Sequence, residues 1–345
     1  MHQLEIGVLL VNLGTPDSPH PKDVYRYLVE FLTDERVIDI PWLQRQLLVR
    51  GIIIPSRYKQ SAHSYQQIWT SDGSPLMVYS KKVCHALQNT LGNNFHVELA
   101  MRYQNPSLEK GLMNTLTKNI RHLIILPLFP QYASASTGSV YQKCMEILKK
   151  QNNLPKITFI DSFADHPAVI QAFCHVARKN PLDIYDHFLF SFHGLPQRQV
   201  QKADKNNHCL KSPDCCLKTC QKNQSCYSAQ CHLTAQALIQ QLNLPLEKTS
   251  LSFQSRLGKE PWLDPFTPHV IEQLAKQNKK NILVLCPSFV CDCLETIFEI
   301  GVEYATEFKK FGGHRLDLVQ GLNDETIWID ALKQIIKENC ANNSC

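Results

Sequence analysis

At 345 residues the chain exceeds what one ordinary hydrophobic core sustains, and a composition of 43% apolar and 19% charged residues excludes wholesale disorder. The formal charge of +5 is spread along the chain without a basic arm, which excludes the electrostatic footprint of a nucleic-acid-binding protein. No apolar run approaches the roughly 20 residues that a membrane-spanning helix needs.

The first fourteen residues carry an acidic side chain inside a short apolar run that ends at Gly14. With no basic start and no small-residue cleavage site, they read as a first strand, 6–13, rather than an export signal. Helical periodicity follows at 21–32. The stretch 42–58 then mixes apolar residues with Arg45, Arg50 and Arg57, a pattern open to a covered helix or to one lying at a membrane surface. Further strands are expected at 122–128, 187–192 and 281–285, all apolar on both faces as in sheets covered from two sides. Helices are expected at 141–149, 233–242, 294–307 and 324–338. Strands alternating with helices predict parallel sheets in two α/β domains, 1–160 and 161–315. Residues 316–345 would form a strand and helix packing back on the first domain.

A weak internal repeat accompanies this division. LLVNLGTP (9–16) resembles FLFSFHGLP (188–196), with Gly14 against Gly194 and Pro16 against Pro196, and HLIILPLFP (122–130) resembles NILVLCPSF (281–289). Duplication would explain the likeness, and so would the common chemistry of buried parallel strands.

Open parallel sheets bind ligands beyond the carboxyl ends of their strands. His193 falls at such an end, before Gly194 and Pro196, where an imidazole either serves structure or meets a ligand. The segment after strand 281–285 carries Asp292, Glu295, Glu299 and Glu303 at helical spacing, with no Lys or Arg between Asp292 and Glu307. Like charges three and four residues apart repel, so the row reads as a path for a cation or protons, with an exposed acidic face as the alternative. Six of the fourteen cysteines crowd into 208–231: Cys209, Cys215, Cys216, Cys220, Cys226 and Cys231. That density, in a chain with no export signal, points to a four-thiolate site for an iron–sulfur cluster or Zn²⁺ rather than to disulfides, with free thiols as the alternative.

The segments VNLGTPDSP (11–19), FLTDERVIDIP (31–41), LPLFPQYASASTGS (126–139), SFHGLP (191–196), SFQSRLGKEPWL (252–263) and CPSFVCDCLETIFEI (286–300) together resemble ferrochelatase signatures, in family order across nearly the whole chain. The resemblance implies two similar Rossmann-like chelatase domains with a cleft between them, and insertion of Fe²⁺ into protoporphyrin IX to give protohaem. It implies a catalytic pair, His193 and Glu295, that also binds the Fe²⁺ substrate, and an acidic row of Asp292, Glu299 and Glu303. Arg102, Tyr103, Phe129 and Trp262 match pocket positions near the porphyrin. Phe129 stands where some relatives carry Tyr. His193 would accept pyrrole protons while the pocket bends the macrocycle.

Some microbial ferrochelatases place a [2Fe–2S] cluster in an internal segment of this kind. The expected ligands are Cys209, Cys216, Cys220 and Cys226, with Cys215 and Cys231 as alternates. The animal arrangement, with one loop cysteine and three near the C-terminus, is not available, because Ser134 replaces the loop cysteine and only Cys340 and Cys345 lie near the C-terminus. The family resemblance further implies a cytoplasmic enzyme, monomer or homodimer, touching the inner membrane peripherally through 42–58. Coproporphyrin III ferrochelatase, a cobalt or nickel chelatase, and a non-catalytic haem or iron–sulfur sensor are the other readings.

Overall fold

The computed structural model describes residues 5–212 and 214–341, so Pro213 in the cysteine-rich segment and Cys345 lie outside it. The described chain forms two compact units. One comprises the N-terminal residues to Phe129, Ala133–Asp161 and the chain from Ile329; the other comprises Pro130–Tyr132 and Ser162–Trp328.

The first unit contains β1 (Ile6–Gly14), β2 (Phe95–Tyr103), β3 (His122–Pro127) and β4 (Lys156–Phe159), all parallel in the order β2-β1-β3-β4. The second contains β5 (His187–His193), β6 (Thr249–Gln254), β7 (Asn281–Leu285) and β8 (Arg315–Leu318), parallel in the order β6-β5-β7-β8. The four strands read from sequence, β1, β3, β5 and β7, are the two central strands of each sheet. Covered on both faces, they are continuously apolar. The edge strands HVELAMR, KITF, TSLSFQ and RLDL mix charged or polar residues with apolar ones and escape that reading. β8 lies in the second sheet beside β7, so a boundary at 315/316 cuts a strand of that unit.

Each sheet is clothed by helices whose apolar faces close a core. In the first unit Leu9, Val11 and Ile125 meet Leu112, Val140 and Ile147; in the second Leu189 and Val284 meet Ile271, Ile300 and Phe308. The repeat extends to backbone detail. After β2 and β6 the chain turns through a left-handed residue, Gln104 or Ser255. Within those turns Met101 N–H donates to the Pro106 carbonyl at 2.7 Å and Phe253 N–H to Pro265 at 2.8 Å.

After β3 and β7 the chain winds as a π-helix, Ser134–Gly138 and Leu294–Tyr304 respectively. A three-to-four residue period does not distinguish an α-helix from one bonded i→i+5, so the expected α-helix at 294–307 proves to be π-wound as far as Tyr304.

Candidate active site

In the second unit the direction of strand addition reverses between β5 and β7, the place where open parallel sheets hold ligands off their carboxyl ends. His193 is the last residue of β5, and the π-helix Leu294–Tyr304 begins just beyond β7. The fold thus delivers an imidazole and a carboxylate-bearing helix to one end of one sheet.

Half-buried His193 is held by its main chain and its ring. Its N–H donates to Ser288 Oγ at 3.3 Å, and its carbonyl accepts from the Tyr227 hydroxyl at 2.8 Å. Nδ1 lies 2.7 Å from the Gly194 carbonyl. A carbonyl can only accept, so in the neutral ring Nδ1 carries the proton and Nε2 keeps its lone pair. The Phe289 ring stands edge-on to the imidazole at 6.2 Å. Gly194 is required for the close turn. A Cβ there would sit 2.7 Å from the Gln254 carbonyl oxygen and 3.2 Å from the Trp262 ring. Trp262 is buried, donates from Nε1 to the Leu257 carbonyl at 3.1 Å and bridges to Pro196, so it walls the His193 turn from behind.

Gln254, the last residue of β6, anchors the π-helix to the sheet. Fully buried, it donates from Nε2 to the Glu295 carbonyl at 2.8 Å and to Glu299 Oε2 at 3.2 Å, while Oε1 accepts from Ser191 Oγ at 2.9 Å. Glu299 also accepts from Ser255 Oγ at 2.5 Å and from the Tyr304 hydroxyl at 2.6 Å. Glu295 is half-buried and accepts from the Cys293 thiol, which burial and then the Glu295 charge push well above the usual thiol range. Glu303 is exposed, and its carboxyl titrates above the usual range, first through lost hydration and then through Glu299 and Glu307. Glu295, Glu299 and Glu303 thus sit four apart along one helix.

Asp292 does not belong to that row. It is buried before the π-helix and accepts from Gly321 N–H at 3.0 Å, Asn323 Nδ2 at 2.7 Å and Thr296 Oγ1 at 3.2 Å. Its own N–H returns a bond to Asn323 Oδ1 at 2.9 Å. Its carboxylate pins the loop after β8 to the start of the helix.

The expected pocket residues of the first unit are similarly engaged. Tyr103 is fully buried, and its hydroxyl donates to Asp34 Oδ2 at 2.9 Å; burial and then the Asp34 charge push its pKa up. Arg102 pairs with the same carboxylate oxygen and donates to Ser139 Oγ at 2.7 Å. Asp34, inside FLTDERVIDIP, is therefore the hub of a buried polar network, and Arg102 and Tyr103 support the end of β2. Phe129 packs against the first core.

In the cysteine-rich segment, Cys209, Cys215, Cys216 and Cys226 are buried. Cys209 and Cys216 each hydrogen-bond to Cys226, and the Cys215 and Cys216 sulfurs lie 3.5 Å apart. Asn223 organises the loop by accepting from Cys220 N–H at 2.7 Å and donating to the Cys215 and Lys218 carbonyls. Cys220, expected as a ligand, is exposed, and Cys215 occupies its place among the buried thiols. Cys231 lies one helical turn beyond Tyr227 and hydrogen-bonds to its hydroxyl. Among the described residues, no group of three or more His, Cys, Asp or Glu is arranged to hold a metal ion.

The stretch 42–58 is a continuous helical run, α over Trp42–Leu48, π over Val49–Ile53 and α again from Ile54. Trp42, Leu43, Leu47 and Ile52 are each more than 60% exposed, whereas Arg45, Val49 and Ile54 are buried. Among the described residues no helix is long and apolar enough to cross a membrane.

Sequence reasoning missed Tyr227, Ser288, Gln254 and Tyr304. Gln254 and Ser288 lie inside recognised motifs and were within reach; Tyr227 adjoins the cysteine cluster and carries no signal of its own.

A family model described as Ferrochelatase matches residues 5–340. A ferrochelatase of Legionella pneumophila strain Lens is 42% identical over 96% of this chain and 98% of its own length, and one of Coxiella burnetii strain Dugway 5J108-111 is 40% identical over 97% and 94%. Among solved structures, SirB from Bacillus subtilis with Fe³⁺ superposes with a TM-score of 0.55 at 12% identity, covering 98% of this chain and 96% of that one. A sirohydrochlorin chelatase SirB from Bacillus subtilis subspecies spizizenii in complex with cobalt gives 0.53 at 11%, covering 98% and 97%. These two carry the fold, the full-length matches carry the family, and the chain belongs to the ferrochelatases, a family of metal chelatases.

Proposed function

We propose that this enzyme inserts Fe²⁺ into protoporphyrin IX, with His193 accepting the pyrrole protons. One observation carries the reading: the His193 ring, its Nδ1 committed to the Gly194 carbonyl, offers Nε2 at the strand reversal beside the Glu295 helix. Insertion requires two pyrrole N–H protons to leave while iron sheds water. A neutral imidazole suits the first step. Glu295 and Glu299, with Glu303 at the exposed end of the row, supply carboxylates for passing protons or the hydrated cation. Imidazole and carboxylate ligands accept Fe²⁺ as well as Zn²⁺ or Co²⁺, so metal choice rests on supply as much as on the site. Binding energy spent on bending the macrocycle exposes its nitrogen lone pairs.

The chain would act in the cytoplasm, as a monomer or homodimer, with the exposed Trp42, Leu43, Leu47 and Ile52 resting on the inner membrane and Arg50 and Arg57 meeting anionic headgroups. An apolar edge of this kind favours protoporphyrin IX over the more acidic coproporphyrin III.

Thiolates have the donor chemistry for a [2Fe–2S] cluster or Zn²⁺, and Cys209, Cys216 and Cys226 with Cys215 or Cys220 are the residues that would hold it once the loop draws them together, since the described thiols do not form a metal-holding group as they stand. Such a cluster supplies structural or one-electron chemistry when bound, and no step of metal insertion runs through it.

The test is anaerobic purification followed by Fe²⁺ with each porphyrin, the absorption bands being followed in time. Haem formation from protoporphyrin IX that is slowed roughly 10²–10⁴-fold in His193→Ala, leaving a residual rate, is expected. Turnover of coproporphyrin III alone would overturn the substrate, and full activity of His193→Ala would overturn the base.

A further inference from the structure

We infer that Tyr227 and Ser288 are positioning residues for His193, standing in for a missing neighbouring strand; the inference rests on the reading of His193 as the proton acceptor. Within the second sheet, β5 pairs with β6 as far as His193 opposite Gln254, but with β7 only as far as Phe190 opposite Leu285. In a parallel ladder the N–H and carbonyl of one residue point to the same side, and those of the next residue to the other. Gly194 N–H turns toward β6 and donates to Gln254 O at 2.7 Å. The main-chain groups of His193 therefore turn toward the β7 side, where the strand has ended.

Two buried polar groups without ladder partners would leave the strand end loose and unsatisfied. Ser288, three residues past β7, accepts the His193 N–H at 3.3 Å, and Tyr227 donates to the His193 carbonyl at 2.8 Å. The two hydroxyls lie 3.2 Å apart, so Ser288 O–H completes a closed ring by donating to Tyr227. Tyr227 is itself buried at the start of the helix Tyr227–Leu242, which fixes the height of its hydroxyl. His193 is thus held at three points: its main-chain N–H by Ser288, its main-chain carbonyl by Tyr227 and its ring, at Nδ1, by the Gly194 carbonyl. Neither hydroxyl reaches the reacting atoms; both act through His193.

Positional error of about 1 Å in a catalytic group costs on the order of 10²-fold in rate. Tyr227→Phe removes one hydroxyl and keeps the ring, and should lower kcat by roughly ten- to a hundredfold with the porphyrin KM changed less than about twofold. The discriminating experiment measures single-turnover haem formation by the full chain as parent, Tyr227→Phe, His193→Ala and the double variant. The loss should vanish in the His193→Ala background, because the imidazole it positions is gone. Ser288→Ala should behave alike and add little to Tyr227→Phe, and it serves as the second route if Tyr227→Phe fails to fold. An equal loss with and without His193 would mark a general fold defect and overturn the inference, as would unchanged kcat in both single variants. Parent-like turnover by His193→Ala would instead overturn the underlying reading of the base.

Discussion

Replacing Asp292 by alanine separates two roles for a carboxylate beside an active site. If Asp292 passes ions, its loss lowers turnover and leaves stability alone. If it ties the loop after β8 to the π-helix, the order reverses. The structure supports the second: Asp292 is 8% exposed, and its carboxylate receives Gly321 N–H at 3.0 Å and Asn323 Nδ2 at 2.7 Å. Hydrogen bonds to a charged group contribute about 1.5–3 kcal/mol each, so losing both exposes about 3–6 kcal/mol. Water entering the vacated space restores part of this, leaving a destabilisation of about 3–4 kcal/mol. For a unit of this size that lowers Tm by roughly 10 °C. Urea unfolding followed by the fluorescence of Trp262 and Trp328, both in the second unit, measures it, with kcat taken on the folded fraction at 25 °C. Parent-like unfolding with abolished turnover would refute the structural role and restore Asp292 to the acidic row.

Three further outcomes are expected. His187 is buried with Nε2 2.8 Å from Ser250 Oγ, and burial depresses its pKa from 6.5 to about 4. The unfolded imidazole takes up its proton first, so stability is full above pH 6.5 and falls by about 3 kcal/mol as pH drops to 4. His187→Asn should flatten that decline in urea midpoints compared at pH 7 and 4.5; an unchanged slope would assign it to other groups. If the thiols hold iron or zinc as proposed, metal analysis should find it unaltered in Cys220→Ser and reduced in Cys226→Ser; the opposite pattern would return Cys220 to the ligand set, and metal-free parent protein would overturn the site. Trp42→Ser with Leu47→Ser removes two side chains that are each 66% exposed, so circular dichroism should not change. Sedimentation with anionic vesicles should weaken about tenfold or more; equal binding would place the membrane contact elsewhere.

How much of this was legible in the sequence follows from burial. The central strands announced themselves because both faces are covered; Phe95–Tyr103 and Arg315–Leu318, at sheet edges, carry Glu98, Arg102, Arg315 and Asp317 and did not. The places of His193 and Glu295 in the fold were readable because they stand at a strand end and in an uncompensated acidic run. Asp292 was misread because residue spacing reports which helical face a carboxylate would take, not whether a loop thirty residues later supplies its donors. For Arg102 and Tyr103 the unread feature is likewise a distant partner: Asp34 lies 68 and 69 residues away in sequence. Cys220 and Cys215 could not be ranked by spacing, since the choice depends on how Asn223 folds the loop.

The two units share one scaffold, but the proposed reacting groups lie in only one of them. β1 closes on Gly14 and β5 leads into the matching Gly194, yet the position of His193 is held by Leu13 in the first unit. Both units place a π-helix after the third strand, but the first reads SASTG, without a carboxylate, where the second carries Glu295 and Glu299. Parallel sheets supply the same ligand-facing geometry twice, and side chains fill it once. What the second unit adds is support: Gln254 ties the carboxylate helix to β6, and Tyr227 with Ser288 closes the end of β5 where β7 stops. Tyr227 directly follows Cys226, so the segment bearing the thiols ends where the support of His193 begins. An insertion at that point leaves the support of His193 intact, provided it returns the chain to Tyr227 in the same place.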